Sequence, residues 1–504
     1  MRARYGCRNH TAVSKNNNMS MNIRKCHIRQ HKFFLFTILS ALLGATAVWA
    51  QDQSQPDQTP LIRPQPVQPP KAMSGKWRGA GVTPYVGSDG GVLQAPVMPG
   101  VTAIRAGRLF DSKTGQMLVN QVVITSGERI IEVGPSSEIK IPTGAQVIDF
   151  SRATVLPGLI DAHTHMFNSR ARNGITEKYM LIAVQNVQAD LRAGFTSARD
   201  LSSHGNGYGD VAIRDAINEG RIDGPRYQVS TRSIAWSSTP ANPANPDNPL
   251  GEQMVRSEED GRAAVREQIS KGADWIKVYP TGGYAFTADG DLVYQLTYPM
   301  PVLQAIVDEA HLHGTKVAAH VFGGEGEKNA IIAGCDTIEH AMGLDQEQAD
   351  MMVQKGIYYD PTIVRYSEPS EDDSDARNTG GKYRMIPIFY KAVTMAANTK
   401  GLKICVGSGV DGSTFPHGTQ GLELVALVEH GGMSPARVIQ SATIVNAEMM
   451  GWRDRVGSID KGKYADIIAV SDDPLADITE MQRVKFVMKG GKIIRNDMMQ
   501  NASK

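Results

Sequence analysis

Cysteine is scarce in this sequence: four in 504 residues, at positions 7, 26, 335 and 405. Cys335 and Cys405 lie in apolar runs, where a thiol behaves as a small buried hydrophobe. No disulfide framework is available, so the fold must rest on the size of its core, and a chain this long can supply one. Acidic residues are absent from the first fifty positions, which hold eight Lys or Arg. The basic "RKCHIRQHK" is followed by the eighteen-residue apolar run Phe33–Ala50 and then by "QDQSQ", with small residues at Val48 and Ala50. Residues 1–50 therefore read as a signal peptide cleaved after Ala50, with Met19 and Met21 as alternative starts. Export would leave the mature chain periplasmic or extracellular. The alternative is an N-terminal membrane anchor, because eighteen apolar residues reach the lower limit for a span. Beyond residue 50 a basic tract is also missing. That part carries 45 basic and 52 acidic residues, a net charge of −7, so nucleic acid is not an expected partner.

Residues 51–95 are rich in Pro and Gln and read as an extended linker. Strand-like segments follow in "VTAIRAGRLF", "QVVITSGERIIEVG" and "AQVIDF", and that texture returns only in "ADIIAVSD" and "VKFVMKGGKIIRN". The two β-rich pieces, 96–154 and 453–504, predict one small β-sandwich domain built from both chain ends. Between them, 155–452 alternates β-branched runs with amphipathic helical stretches. Eight strand candidates stand out there: "TVLPGLIDAH", "FTSARD", "PRYQVSTRS", "DWIKVYP", "TKVAAHV", "DTIEHA", "IYYDPTIV" and "LKICVGSGVD". Such alternation predicts an α/β fold, a (β/α)8 TIM barrel, with a doubly wound sheet as the competing reading.

The placement of polar residues favours the barrel, whose active sites gather where the strands end. Five of the eight candidate strands carry a metal-binding side chain there: His163 and His165 on the first, Lys277 on the fourth, His320 on the fifth, His340 on the sixth and Asp411 on the eighth. His163 and His165 are two apart, so an extended chain projects both to one face. Each residue has a plainer reading as well. A strand-end histidine is ordinarily a hydrogen-bonded structural residue, and Asp411 among the glycines of "GSGVDGS" suits a turn. Lys277 resists that reading. It stands among Trp275, Ile276, Val278 and Tyr279, in a strand expected to be buried on both faces, where an unpaired ammonium is costly. Carboxylation by CO2 would make it an anionic carbamate with one oxygen for each of two metals.

The ordered motifs "LPGLIDAHTH", "ADWIKVYPTGG", "VAAHVFG", "TIEHA" and "GVDGSTFPHGTQGLEL" resemble those of the amidohydrolase superfamily. The most similar branch holds imidazolonepropionase-related proteins, Xaa-Pro dipeptidases and ochratoxin-cleaving amidases, and the likeness runs from about residue 100 to 495. From His165 onward the gaps between candidate ligands are 112, 43, 20 and 71 residues. The resemblance implies two divalent metal ions. His163, His165 and Asp411 would hold the more buried one, the Lys277 carbamate would bridge, and His320 and His340 would hold the second. Zinc suits these donors, and manganese or cobalt would serve.

The same resemblance implies hydrolysis of a peptide-like amide, in a dipeptide, an N-acyl amino acid or an ochratoxin-like amide. A hydroxide shared by the metals would attack, with Asp411 as general base and then acid. Alternatives are a lactone, ester or cyclic-imide hydrolase with the same site, a mononuclear deaminase, and a metal-free scaffold. The expected substrate contacts are Tyr279, Arg232, Trp236 and His417. The expected partners are a small amide or peptide substrate and further copies of the chain in a homo-oligomer. Two departures bear on substrate choice. "RSIAWSSTP" stands where relatives often carry Gly-Gly-His near strand three, and "GSGVDGS" replaces the commoner Gly-Thr-Asp. The acidic loop at 367–384 reads as a flexible rim.

Overall fold

Strands with no exposed face belong in a sheet covered on both sides. The middle of the chain supplies them, while most strands of its two ends mix runs of buried and of exposed residues. In this computed structural model the described residues are 100–168, 176–236, 251–367 and 381–498. Two short strands precede them, β1 (Tyr85–Val86) and β2 (Val92–Gln94), paired antiparallel within the segment read as a linker. The signal read at 1–50 and the central part of the acidic loop, 368–380, lie outside the described residues. Among the described residues no helix is long and apolar enough to cross a membrane.

Strand β3 (Val101–Asp111) pairs antiparallel with β4 (Gln116–Ser126) and parallel with β6 (Gln146–Pro157), and β4 pairs with β5 (Arg129–Pro135). The barrel follows directly. Its eight strands are β7 (Leu159–Thr164), β8 (Phe195–Asp200), β9 (Arg226–Val229), β12 (Trp275–Val278), β15 (Lys316–Val321), β16 (Thr337–His340), β17 (Tyr358–Asp360) and β18 (Lys403–Ile404). Between them lie β10 (Ile234–Trp236) and β11 (Gln253–Val255), which extend the third strand's side, and the hairpin β13 (Thr281–Phe286) and β14 (Leu292–Leu296).

Ladders join β7, β8 and β9 in one parallel arc and β12, β15, β16, β17 and β18 in another. Backbone bonds outside these ladders close the ring. The amide of Asp274 donates to Val229 O across 2.8 Å, and that of Ala162 donates to Val406 O across 2.9 Å. Asn446 secures the second seam, its Nδ2 donating to both Ile160 O and Val406 O at 2.8 Å. The third strand candidate, expected to run unbroken through "PRYQVSTRS", is interrupted at Thr231, whose φ of +59° bends the chain between β9 and β10. Its amide donates there to the Asp210 carboxylate at 2.7 Å.

Past the barrel, β19 (Ile467–Val470), β20 (Phe486–Lys489) and β21 (Lys492–Asn496) return to the first sheet, β19 pairing antiparallel with β6. The two ends of the chain therefore build one domain, as expected, but not as two separately bonded sheets. It is a single seven-stranded mixed sheet, ordered β21-β20-β19-β6-β3-β4-β5. The sheet curls until its β5 edge meets the segment before β19: Ile130 N donates to Lys463 O and Gly462 N to Ile130 O. Inside the curl lie Ile104, Val123, Ile148, Phe150, Ile467 and Phe486, with the two phenylalanine rings edge to face at 5.0 Å. Long β6 belongs to this sheet and hands the chain straight to β7, so the sheet anchors the strand that begins the site. Cys335 and Cys405 are buried and unpaired.

Candidate metal centre

Four strands bring five side chains to one place at the C-terminal mouth of the barrel. His163 and His165 leave the end of β7 with their Nε2 atoms 3.2 Å apart. The ring of His340, from the end of β16, lies 4.9 Å from that of His163 and 4.6 Å from that of His320, on β15. Lys277, on β12, stands level with Ala318 in the neighbouring strand, one alternation before His320. Its Nζ is buried and has no hydrogen-bond partner. Burial lowers the pKa of that amine to about 8, against the pull of Glu339. Burial, reinforced by Lys277, likewise brings His163 down to about 3. His165, His320 and His340 are also held well below the ordinary imidazole value, burial again being the main cause. These rings are thus neutral at physiological pH and keep lone pairs for a cation.

Asp411 stands on the wall of the same mouth. Val410 O accepts the His165 amide at 2.8 Å, which sets Asp411 one residue beyond the first strand's histidines. Its carboxylate is buried and meets Arg365 Nη1 at 2.8 Å and the amide of Ser413 at 2.8 Å. Asp161 fastens this stretch to β7, accepting from Ser408 N and Oγ and from the amide of His163. Of the expected substrate contacts, Tyr279 is adjacent, its ring 4.9 Å from that of His320. The other three are engaged elsewhere. Arg232 donates to Gly251 O and Glu252 O, Trp236 packs on the large barrel core, and His417 Nδ1 meets the Asp190 carboxylate at 2.9 Å.

Several supporting residues escaped the reading of the sequence. Glu339 immediately precedes His340, and strand alternation sends neighbours to opposite faces. The structure evades that rule because His340 has φ +70°, a left-handed conformation costly for a side-chain-bearing residue and characteristic of functional positions. Glu339 and His340 consequently both face His163. Glu339 Oε2 lies 2.7 Å from His163 Nδ1, and Oε1 accepts from Arg199 Nη2 at 2.9 Å and from the Thr337 hydroxyl. Burial disfavours the Glu339 carboxylate, but Arg199 and His163 outweigh it and keep the group ionised. Arg199 sits in a strand buried on both faces, the same signal that drew attention to Lys277. The seventh strand offered no expected ligand, yet Thr362 meets His340 Nδ1 at 2.6 Å and the ring of Tyr366 lies 4.8 Å from it. His204 stacks on His165 with ring centres 4.0 Å apart.

His163, Glu339 and Asp360 offer ligand atoms within 4.8 Å of one another, a set that could hold a metal. Arg199 already lies against both carboxylates, 2.9 Å from Glu339 and 3.8 Å from Asp360, so a fixed cation balances them. The imidazole side of His163 also suits an ion: its four rings are neutral, and Asp411 on the same mouth is paired with Arg365. The amine of Lys277, the donor set and the burial all fit a metal centre.

Neutral buried imidazoles and carboxylates at the C-terminal mouth of a (β/α)8 barrel make a site that could hold a metal. Residues 154–494 match the model of the amidohydrolase family, and the chain belongs to that family. It is 30% identical over 430 residues to ochratoxinase of Aspergillus niger, covering 78% of this chain and 87% of the relative. The crystal structure of that ochratoxinase superposes with a TM-score of 0.67 at 28% identity, over 79% of this chain and 95% of the other. A Xaa-Pro dipeptidase with bound methionine in its active site superposes with a TM-score of 0.69 at 31% identity, over 79% of this chain and all of the other. A prolidase complexed with N-methylphosphonate-L-proline gives the same score at 27% identity, over 79% and 100% of the two chains. This chain is therefore a hydrolase of amide-type carbon–nitrogen bonds.

Proposed function

We propose that the protein cleaves the amide bond of a dipeptide or an N-acyl amino acid at a centre of two divalent metal ions, zinc foremost. His163, His165 and Asp411 would hold one ion, His320 and His340 the other, and the carbamate of Lys277 both. The observation that carries this reading is the Lys277 amine, buried and unpartnered beside four neutral imidazoles. A pKa near 8 leaves a neutral fraction able to add to CO2, giving a carbamate and releasing one proton. The anion would replace a poorly placed ammonium, and its oxygens match the hard part of a mixed nitrogen and oxygen donor set. A bound metal pair supplies Lewis-acid polarisation of the carbonyl and makes a water acidic enough to react near neutral pH.

The chain's own residues do the rest. Asp411 would take a proton on its carboxylate and return it to the departing nitrogen. Arg365 and Ser413 orient that carboxylate. Tyr279, Tyr284, Phe322 and Tyr366 form an aromatic wall over His320 and His340, which excludes water and suits an apolar side chain on the substrate. The similar proteins that act on peptides or ochratoxin point the same way. We also propose export of the chain after cleavage at Ala50, two domains split at 154 and 452, and a homo-oligomer, resting on the sequence alone.

The test is turnover of purified, zinc-loaded protein on N-acyl amino acids, dipeptides ending in proline or a cationic residue, and lactones, with metal counted per chain. Amide cleavage with about two ions bound is expected. Faster turnover of lactones, or a single ion with deamination, would replace this reading.

A further inference from the structure

A histidine binds a metal through whichever nitrogen lacks a proton, so the partner of the other nitrogen decides the ligating atom. At His163 that partner is Glu339. Its Oε1 already accepts from Arg199 and Thr337, and Oε2 faces His163 Nδ1 at 2.7 Å. A carboxylate held between these donors can only accept. His163 must therefore carry its proton on Nδ1 and leave Nε2 bare, directed at the spot it shares with His165 Nε2 3.2 Å away.

His340 is set in the same way by a different group. The Thr362 hydroxyl has one proton, and Pro361 O stands 2.7 Å away as an acceptor for it. With the proton in that bond, the hydroxyl can only accept from His340 Nδ1, 2.6 Å away. In that arrangement Nδ1 of His340 would carry the ring proton, with Nε2 again left for a ligand. Thr362 is itself held at φ +52°, unusual for a β-branched residue, so the backbone is strained at both ends of this contact.

We infer that Glu339 and Thr362 are positioning residues that fix the tautomers of His163 and His340, so that both rings ligate through Nε2. The inference rests on the proposed metal centre and goes beyond it: neither residue touches the ion, yet each determines how a ligand presents itself. Glu339 has a second duty as the counter-charge of buried Arg199, whereas Thr362 balances no charge, which makes Thr362 the cleaner probe.

The test uses the full, zinc-loaded chain. Two-dimensional proton–nitrogen spectra of protein with 15N-labelled histidine should show ring N–H protons on Nδ1 of His163 and His340, assigned by their loss in His163→Gln and His340→Gln. Zinc affinity, read by competition with a chromophoric chelator, should fall about 10–100-fold in Thr362→Val and stay near wild type in Thr362→Ser. Glu339→Gln, where it folds, should lose affinity over the same range. A proton on Nε2 of either ring, or equal zinc affinity in wild type and Thr362→Val, overturns the inference and leaves the metal centre standing. A wild type that takes up no zinc refutes both.

Discussion

Arg365 Nη1 lies 2.8 Å from Asp411 Oδ1, so the proposed proton carrier is held by a guanidinium from the seventh strand's loop. That loop is fixed in turn: Glu423 accepts from the amides of Ile363 and Val364 at 2.7 and 2.8 Å and so caps the helix Ile363–Ser367. Asp411→Asn should keep the fold and lower kcat by at least about 100-fold, since it removes the proton acceptor. Arg365→Met should cost a charged hydrogen bond of about 1.5–3 kcal/mol, or about 10–100-fold in kcat/KM. Steady-state kinetics together with thermal melts check both. Near-normal turnover of Asp411→Asn would remove this residue from the mechanism.

Lys277→Met exchanges a buried amine without a hydrogen bond for an apolar side chain of similar length. The metal-free protein should melt no lower than wild type, because a desolvated polar group is replaced by one that belongs in the core. Metal bound per chain should fall and activity should vanish. Elemental analysis beside melting curves decides the matter, and a variant that keeps its full metal complement would contradict the bridging role.

Gly407 is pinned between two parts of the site. A Cβ there would come within 2.5 Å of His163 Cβ and closer still to Asp360 Oδ2. Gly407→Ala should destabilise the fold by about 1–3 kcal/mol through overpacking and weaken metal binding by displacing His163. Denaturant titration should reveal the loss, and unchanged stability would mean that β7 and the chain after β18 separate more easily than their backbone bonds suggest.

Glu327 is buried with neither carboxylate oxygen hydrogen-bonded, and burial raises its pKa to about 8. A folded-state value above the unfolded one means the native protein binds the extra proton between about pH 4.5 and 8. The associated stability is complete at the low end of that window and is lost as pH rises through 8. Glu327→Gln removes the titration, so its gain in Tm over wild type should be larger at pH 9 than at pH 6. Equal differences at the two pH values would show that Glu327 finds a partner in solution.

The aligned glutamate and histidine of β16 show where reading the sequence reached its limit. Period-two logic placed His340 at a strand end but sent Glu339 to the opposite face, and only the positive φ at His340 brings both to His163. Strand burial singled out Lys277, and the same rule applied to "FTSARD" would have found Arg199. Nothing local marked Thr362 or Arg365, whose partners lie 22 and 46 positions away along the chain. Both ends of the chain showed β texture, yet whether they formed two sheets or one curled sheet depended on edge bonds between Ile130 and residues 462–463.

By itself, the sequence determined the alternation of strand and helix, the burial of the central strands and the order in which potential ligands occur, because these follow from side-chain hydrophobicity and short-range backbone preference. Only the tertiary structure decided which nitrogen of each histidine faces the mouth, which charges balance which, and where a strained backbone turns a side chain inward. Those properties belong to groups that meet across the barrel, and no local pattern along the chain records such a meeting.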